Sequence, residues 1–491
     1  MSAPTGQMSR RKSVSPHDST GANLIVQVKN NKVMRVVPLE NEAVNECWIA
    51  DRDRFSYEAL NSNERLTAPM LKQGGEWKTV DWQTALEYVA NGLKQIKADH
   101  GAKSIGLLAS PHGTLEELQL AGALVRGVGS ENIDSRLRHS DFRPTAGVRW
   151  LGLPIASLSI LQRVLVVGSN LRKDHPLFAQ RIRQAARKGC VVSTVNSPAL
   201  AAADWALPVR NTLVAESGMW AQALADIASA VAADKGVPAP APGTATDAAK
   251  AIAQSLVSGE RKAILLGNAA AHHARASSVL ALANWIGAQT GASVGFLGEA
   301  ANTVGAQLVG AQPGAGGLNT AQMLAGGMKA MVLLNVEPEF DTATGAASAA
   351  ALSGAGMVVT LSPFKANLAF SDVLLPIAPF TETSGTFVNA EARFQSFHAV
   401  VKPLGETRPG WKVLRVLGNL LGLSGFDYES SQAVLETVPA VPLSNAVDVQ
   451  IDLSPAPGEP CTASIYQLDA LVRRAESLQL TADARSTGVS A

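Results

Sequence analysis

The chain has 491 residues and a formal net charge of +1, with 46% hydrophobic and 17% charged residues. This length accommodates about three or four domains of ordinary size. The balanced charge and an aromatic content of only 5% argue against a polyanionic partner and against a base-stacking surface. We therefore expect no nucleic acid among its partners.

The cysteines and the hydropathy pattern indicate the kind of cellular compartment in which the chain is expected to fold. Cys47, Cys190 and Cys461 are widely separated, so they form no local disulfide framework or metal-binding motif. Such low cysteine usage is typical of a reducing compartment. No run reaches the roughly 18 apolar residues that a spanning helix needs, and no apolar segment follows the basic residues 10–12. The sequence thus predicts neither a transmembrane helix nor a signal peptide.

The N-terminal part of the chain is predicted to begin with a flexible stretch, residues 1–22. A β-hairpin is expected over 24–37, within a small β-rich module at 23–65. Asp81 is then expected to cap a helix over 82–98, because its short side chain accepts hydrogen bonds from a free helix N-terminus.

Two stretches of the chain, residues 163–210 and 330–378, repeat one pattern. Each contains an apolar β-branched run, a helical stretch, a second such run, Ser-Pro, and an Asp followed by Leu-Pro. Runs without alternation predict strands buried on both faces, and the spacing predicts βαβ units. The sequence therefore predicts an α/β fold with duplicated, doubly wound parallel sheets over 66–425. The alternative is that any two parallel-sheet units look alike.

The remaining residues, 426–491, are predicted to be a C-terminal extension. Most of it is rich in proline, serine and valine and has weak periodicity. A short helix is expected from about Leu468 to Leu478.

No common catalytic motif is present, but one polar segment is chemically rich. It contains Gly385, Thr386, Asn389 and Arg393. A glycine lets backbone approach a ligand closely, and the three side chains can donate hydrogen bonds to phosphate or to a heterocycle. The alternative is a polar loop that braces two domains.

The histidines give weaker signals. His272 and His273 follow a predicted strand, where ligands often bind in open α/β sheets. Adjacent histidines on a helix point about 100° apart and chelate one ion poorly, so an ordinary surface pair is expected. His112, His139 and His175 stand alone, and a structural role is expected for each.

The segment from Glu382 to Arg393 also carries a family resemblance. Its pattern Glu-x-x-Gly-Thr-x-x-Asn-x-Glu-x-Arg resembles the motif of the molybdopterin-containing oxidoreductases. Within that superfamily the chain is similar to the large iron–sulfur subunit of respiratory complex I, the 75 kDa family. The resemblance is to the C-terminal portion of that subunit, and the N-terminal ferredoxin-like region is expected to be absent. Further stretches that carry the resemblance are 45–55, 65–70, 142–147 and 472–475.

The resemblance implies a place in the peripheral arm of NADH–quinone oxidoreductase. That complex passes electrons from NADH through FMN and 2Fe-2S and 4Fe-4S clusters to quinone, coupled to proton translocation. The implied partners are other peripheral-arm subunits. The implied location is the cytoplasmic side of the inner (plasma) membrane, with membrane contact only through the complex. The chain itself is expected to be a non-catalytic scaffold.

The expectation of a non-catalytic scaffold rests on positions at which this sequence differs from the family pattern. The module at 23–65 resembles a degenerate 4Fe-4S domain, because the cluster-ligand positions hold Ser13, His17 and Ala50, and Cys47 stands alone. A cubane takes four thiolates or near equivalents. We therefore expect no metal, no cofactor and no redox centre in this chain.

The pterin pocket of the family is expected to be vestigial. Near the expected molybdenum-ligand position only Asp141 is a suitable ligand, and Asn196-Ser197-Pro198 replaces a run that normally supplies an arginine to phosphate. The alternative function is an active molybdopterin-dependent oxidoreductase, like a formate dehydrogenase or nitrate reductase, with Asp141 on the metal. The candidate residues of the vestigial pocket are Ser169, Asn170, Gly385, Thr386, Asn389 and Arg393.

Overall fold

The computed structural model describes residues 4–144 and 146–485. Thr145, which belongs to one of the family-like stretches, lies outside the described residues. The strands are β1 (Ser9–Val14), β2 (Asn23–Lys29), β3 (Lys32–Pro38), β4 (Met70–Gln73), β5 (Glu76–Thr79), β6 (Ile105–Ala109), β7 (Ile133–Asp134), β8 (Arg163–Val167), β9 (Val191–Asn196), β10 (Asn211–Val214), β11 (Lys262–Leu266), β12 (Ser293–Phe296), β13 (Ala330–Leu334), β14 (Met357–Ser362), β15 (Val373–Pro376), β16 (Gly385–Val388) and β17 (Phe394–Phe397).

Helices pack around these strands. The longer ones are Trp82–His100, Leu115–Val128, Pro176–Arg187, Trp220–Lys235, Asp247–Val257, Ala276–Thr290 and Gly410–Leu420. The shorter ones are Asp51–Phe55, Leu171–Asp174, Pro198–Ala202, Asn268–Ala271, Thr303–Leu308, Thr320–Met323, Pro338–Asp341, Ser348–Ser353, Ser431–Leu435, Ala470–Arg473, Glu476–Gln479 and Ala482–Arg485.

A five-stranded sheet of order β10-β9-β8-β11-β12 forms one α/β unit, and all its neighbouring strands are parallel. The apolar runs of β8 and β11 are buried, as their lack of alternation predicts. The chain leaves β8 toward β9 on one side and later enters β11 on the other. The switch point of this sheet therefore lies between β8 and β11, where open α/β sheets usually bind ligands.

A seven-stranded sheet of order β5-β4-β15-β14-β13-β6-β7 forms the other α/β unit. Strands β4 and β5 are antiparallel at its edge, and the remaining neighbours are parallel. Its switch point lies between β6 and β13. The predicted α/β fold with doubly wound parallel sheets is confirmed by this architecture.

The two repeated stretches form equivalent pairs of strands, but the segments that follow the second strand of each pair differ in structure. Strands β8 and β9 pair in parallel, and so do β13 and β14. The second Asp-to-Leu-Pro segment forms β15, whereas residues 204–209 of the first form no strand. The third strand of the first unit is instead β10, at Asn211–Val214.

The predicted hairpin is confirmed as β2 and β3. Asn30 and Asn31 both have positive φ, the conformation of a tight two-residue turn that asparagine tolerates. The expected flexible N-terminus is wrong for residues 9–14, which pair with β2 as strand β1. The composition of residues 9–14 predicted a flexible segment because the exposed side chains of β1 are basic. The strand is held in place by its pairing with β2.

The predicted helix cap at Asp81 is confirmed. The Asp81 carboxylate accepts a hydrogen bond from the Thr84 N–H at 2.7 Å, at the start of the helix Trp82–His100. The single predicted C-terminal helix is instead two short helices, Ala470–Arg473 and Glu476–Gln479. Among the described residues, no helix is both long and apolar enough to cross a membrane.

Candidate functional site

A cavity of ≈ 140 Å³ lies between the two sheets. Many of its lining residues follow the carboxyl ends of the strands β6, β7, β11, β12 and β13, and Ser19 of the N-terminal module lines it as well. Those that follow strands include His112, Arg138, His272 and Glu299. The carboxyl-end edges of the two sheets therefore face each other across this cavity. These are the edges at which α/β proteins usually bind ligands.

A buried ion pair crosses the cavity from one sheet to the other. Arg138, beyond β7, donates a hydrogen bond to Glu299, beyond β12, at 2.7 Å. Arg138 also contacts Asp341 at 3.4 Å. Burial alone would raise the pKa of Glu299, but Arg138 and nearby histidines lower it to about 2. Glu299 is therefore ionised at neutral pH, and its charge is paired across the interface.

The histidines around this pair are neutral at pH 7, because burial lowers the pKa of His112, His139 and His272. Carbonyl oxygens face one ring nitrogen of two of them. His272 Nδ1 lies 2.7 Å from the Cys461 carbonyl, and His112 Nδ1 lies 3.0 Å from the Pro16 carbonyl. Since carbonyls only accept, these Nδ1 atoms carry the protons and each Nε2 is a hydrogen-bond acceptor.

A second buried pair joins the N-terminal module to the C-terminal segment. His17 Nδ1 lies 2.7 Å from Asp469 Oδ2, and its Nε2 lies 2.7 Å from Ser56 Oγ. Burial by itself would lower the pKa of His17, but the Asp469 carboxylate raises it. His17, at a predicted cluster-ligand position, is thus fully occupied by protein partners.

Two buried arginines fix the first part of the chain on the α/β units: Arg52 from the N-terminal module, and Arg65 from the start of the α/β body. Arg52 donates to Asp18 at 2.7 Å and to the Asp174 carbonyl oxygen at 2.8 Å, and it is almost completely buried. Arg65 donates two hydrogen bonds of 2.9 Å to Glu382. A bidentate pair of this kind fixes relative orientation as well as distance.

The polar segment with Gly385, Thr386, Asn389 and Arg393 forms the hairpin β16–β17 and its turn. Asn389 donates to the Thr20 carbonyl oxygen at 3.0 Å, linking the hairpin to the N-terminal module. Thr386 Oγ1 lies 2.8 Å from Ser396 Oγ, within the hairpin. Arg393 is half-exposed and donates to Glu391. These contacts support the bracing alternative for this segment.

Asn302 completes the brace from the side of the five-stranded sheet. Its amide donates to the Gly113 and Thr386 carbonyl oxygens at 2.8 and 3.1 Å, and its oxygen accepts from the Val388 N–H at 2.7 Å. One buried asparagine thus satisfies three backbone groups from two segments.

Ser169 and Asn170 lie elsewhere, after β8. The Ser169 N–H donates to Asn196 Oδ1 at 3.1 Å, and the Asn170 N–H donates to Asp174 at 3.3 Å. In the described part of the chain, no hydrogen bond joins these two residues to the hairpin, and none of the six predicted pocket residues lines the cavity. Ser197 accepts a hydrogen bond from the Leu200 N–H, so it caps a helix at the expected phosphate position.

The residues that do line the cavity give only a weak signal in the sequence. The expected surface position of His272 and His273 is wrong, because both are buried. His273 lies 2.6 Å from the Ser217 carbonyl oxygen and stacks on Trp220, while His272 faces Glu299 at 3.8 Å. The signal that the sequence offers is position, because His112, Arg138, His272 and Glu299 each follow the carboxyl end of a parallel strand.

The space and the side chains do not fit a pterin dinucleotide. The cavity of ≈ 140 Å³ is smaller than the roughly 300–1,000 Å³ of typical ligand pockets. Asp141, the possible metal ligand, already accepts hydrogen bonds from the Arg143 and Ser277 N–H groups at 3.2 and 2.9 Å. The interior at this position is therefore occupied by paired protein groups.

The first prediction concerns the brace. A Cβ at Gly385 would lie 2.5 Å from Thr114 Cγ2, so Gly385→Ala should lower the free energy of unfolding by about 1–3 kcal/mol through overpacking. Thr114→Ser removes the clashing methyl and keeps the helix cap. In urea unfolding, the double variant should recover much of the free energy lost in Gly385→Ala alone. Equal losses in the single and the double variant would show that the Gly385–Thr114 contact does not limit the space at this position.

The second prediction concerns the ion pair between the sheets. Glu299→Gln leaves buried Arg138 with only the more distant carboxylate of Asp341, at 3.4 Å, and should cost about 3 kcal/mol of stability. Glu131→Gln is the matched control, because Glu131 pairs with Arg126 at the surface and should lose at most about 1 kcal/mol. Similar losses for the two variants in chemical denaturation would refute the interdomain role of Glu299.

Comparison with known proteins places this geometry in a family. Residues 65–420 match the family model described as molybdopterin oxidoreductase. Residues 8–58 match the model described as NADH-ubiquinone oxidoreductase NDSU1/NuoG-like, 4Fe-4S domain. The two matches adjoin along the chain, so the N-terminal module and the α/β body each have a family of their own.

Curated relatives are about twice as long as the matched region. "Probable oxidoreductase YjgC" of Bacillus subtilis is 24% identical over 510 residues, covering 88% of this chain and 51% of its own. The mitochondrial 78 kDa subunit of NADH-ubiquinone oxidoreductase from Candida albicans is 27% identical over 419 residues, covering 84% and 53%. The chain therefore spans about half the length of these relatives.

A solved structure has the same fold. Acetylene hydratase from Pelobacter acetylenicus superposes with a TM-score of 0.64 at 14% identity, covering 86% of this chain and 70% of that one. At this identity the similarity extends to the architecture alone.

The prediction that this chain has no cofactor is wrong, because residues 8–58 match a 4Fe-4S domain family. The side chains nevertheless differ from a thiolate set. Ser13, His17 and Ala50 occupy the predicted ligand positions, and Cys47 is exposed. Among residues 4–144 and 146–485, no group of three or more His, Cys, Asp or Glu side chains is arranged to hold a metal ion. The residues of the module thus do not fit the cluster that its family implies.

The family model of the α/β body covers more than half of the chain. The chain therefore belongs to the molybdopterin oxidoreductase family, and its N-terminal module makes it similar to the large iron–sulfur subunit of complex I.

Proposed function

We propose that this chain is part of the peripheral arm of a complex I-type NADH–quinone oxidoreductase. The observation that carries the proposal is the combination of a NuoG-like module at residues 8–58 with a molybdopterin-oxidoreductase body at 65–420. The similarity to a protein named as part of NADH-ubiquinone oxidoreductase supports the same assignment.

Within the complex, the α/β body supports the N-terminal module. Arg52 holds the module to the body through its buried hydrogen bond to the Asp174 carbonyl oxygen, and Asn389 adds a contact from the hairpin. The interdomain space is small and its charges are paired. These features favour a structural role over turnover of a small substrate by the isolated chain.

The complex as a whole would transfer electrons from NADH through FMN and iron–sulfur clusters to quinone, coupled to proton translocation. The partners of this chain are then other peripheral-arm subunits. Its attachment to the cytoplasmic side of the membrane runs through those partners.

The second candidate function is that of an active molybdopterin-dependent oxidoreductase. The similarity to a protein named as an oxidoreductase of Bacillus subtilis favours it. This function requires Asp141 to exchange its hydrogen bonds with Arg143 and Ser277 for a metal ion, and it requires the cavity to widen. Stoichiometric molybdenum or tungsten in the purified protein, together with substrate turnover, would select this candidate.

The test of the complex I assignment is affinity purification of the tagged chain from its native host in mild detergent. We expect flavin- and cluster-bearing subunits to co-purify and the chain to co-migrate with NADH dehydrogenase activity on a native gel. A host carrying an unrelated tagged protein is the control. Migration of the chain alone, away from that activity, would reject the assignment.

A further inference from the structure

The outer edge of the three-stranded sheet is open. Strand β1 lies at one end of the sheet β1-β2-β3 and pairs only with β2. Just beyond β1, the Ser15 N–H donates to the Ala22 carbonyl oxygen at 2.9 Å. Since every second residue of an antiparallel strand bonds to the same neighbour, the backbone groups of Arg11 face β2, whereas those of Arg10 and Lys12 face outward. In the described part of the chain, no hydrogen bond reaches these outward groups.

The side chains along this edge are cationic. Arg10, Arg11 and Lys12 are consecutive and exposed, so positive charge projects from both faces of the strand. Among the described residues, none of these three side chains forms an ion pair or a hydrogen bond. The edge therefore offers main-chain hydrogen-bonding groups and unpaired cations at the same place.

The positive charge belongs to the whole sheet. Strands β1, β2 and β3 contain three, one and two lysine or arginine residues, respectively, and no aspartate or glutamate. The full chain, by contrast, has 42 basic and 41 acidic residues. The excess is therefore local to this sheet, and a ligand of complementary charge is acidic.

The same charges exclude a second copy of the strand. Basic residues on an edge strand deter edge-to-edge pairing between identical chains. Two copies of β1 would bring three cations against three, whereas an acidic strand would meet attraction at each position. The composition of this edge thus selects against self-association and for an acidic partner.

We propose that β1 is the docking edge for an extended acidic segment of a partner protein, which adds a fourth strand to the sheet. Main-chain hydrogen bonds at Arg10 and Lys12 supply affinity, and the basic side chains select aspartate and glutamate. A peptide backbone has the alternating N–H and carbonyl groups that match this edge. Under the complex I assignment, on which the identity of the partner rests, the segment belongs to another peripheral-arm subunit.

A synthetic peptide tests the edge on the full chain without any partner subunit. The probe is a capped peptide in which glutamate and valine alternate, and the control peptide has lysine in place of glutamate. In residue-resolved hydrogen exchange, saturating acidic peptide should slow the Arg10 and Lys12 N–H groups at least about tenfold and leave Arg11 unchanged. High salt should weaken the effect. Unchanged exchange with the acidic peptide, or equal protection by the lysine peptide, would overturn the proposal.

Charge reversal tests the selection for acidic residues. The double variant Arg10→Glu with Lys12→Glu should lose protection by the acidic peptide and gain it from the lysine peptide. The control is Lys94→Glu with Lys97→Glu, two exposed positions of the helix Trp82–His100, which should behave like the unaltered chain. Continued preference of the Arg10 and Lys12 double variant for the acidic peptide would refute the proposal. If that variant fails to fold, Arg10→Gln with Lys12→Gln decides, since it should bind neither peptide.

The same variants in the native host test the identity of the partner. Reversal at Arg10 and Lys12 should lower the recovery of flavin- and cluster-bearing subunits with the tagged chain at least about tenfold. Reversal at Lys94 and Lys97 should leave it unchanged. Equal recovery in both variants would reject a peripheral-arm subunit as the occupant of this edge. Absence of those subunits even from the unaltered chain would reject the complex I assignment, while the peptide experiment judges the edge independently.

Discussion

Buried charge must be paired, and this requirement holds the molecule together. Ionised groups removed from water are costly unless an opposite charge and hydrogen bonds replace the lost hydration. Several of these pairs lie between segments. Arg138 and Glu299 join the two sheets, His17 and Asp469 join the N-terminal module to the C-terminal segment, and Arg473 with Glu337 anchors the C-terminal segment.

The same constraint explains the character of the candidate site. The carboxyl ends of parallel strands point into the interdomain space, where the fold exposes backbone and polar side chains to a possible ligand. In this chain protein groups occupy that space: Arg138 neutralises Glu299, and Asp141 is held by backbone N–H groups. The architecture of this family is therefore combined with a cavity whose buried charges are paired with one another.

The elements that the sequence predicted were those set by neighbouring residues. The turn at Asn30 and Asn31, the Asp81 cap and the buried strands each follow from local chemistry. The site was harder to predict because its pairs are distant along the chain. His17 and Asp469 are 452 positions apart, and nothing near either residue indicates the other.

The predictions that were wrong failed because contacts between residues distant in the sequence determine the structure at these positions. Residues 9–14 resemble a solvated tail because three basic residues follow one another, yet pairing with β2 makes them a strand. His272 and His273 resemble a surface pair, yet burial and carbonyl partners fix both rings. The resemblance of the hairpin motif to a ligand-binding segment reflects the family, whereas its contacts here brace the N-terminal module.

Paired charges across the interdomain space make the two α/β units one cooperative structure. This cooperativity can be measured by differential scanning calorimetry of the full chain. We expect one endotherm for both units, with equal calorimetric and van't Hoff enthalpies. Two separate transitions, one for each sheet, would contradict it.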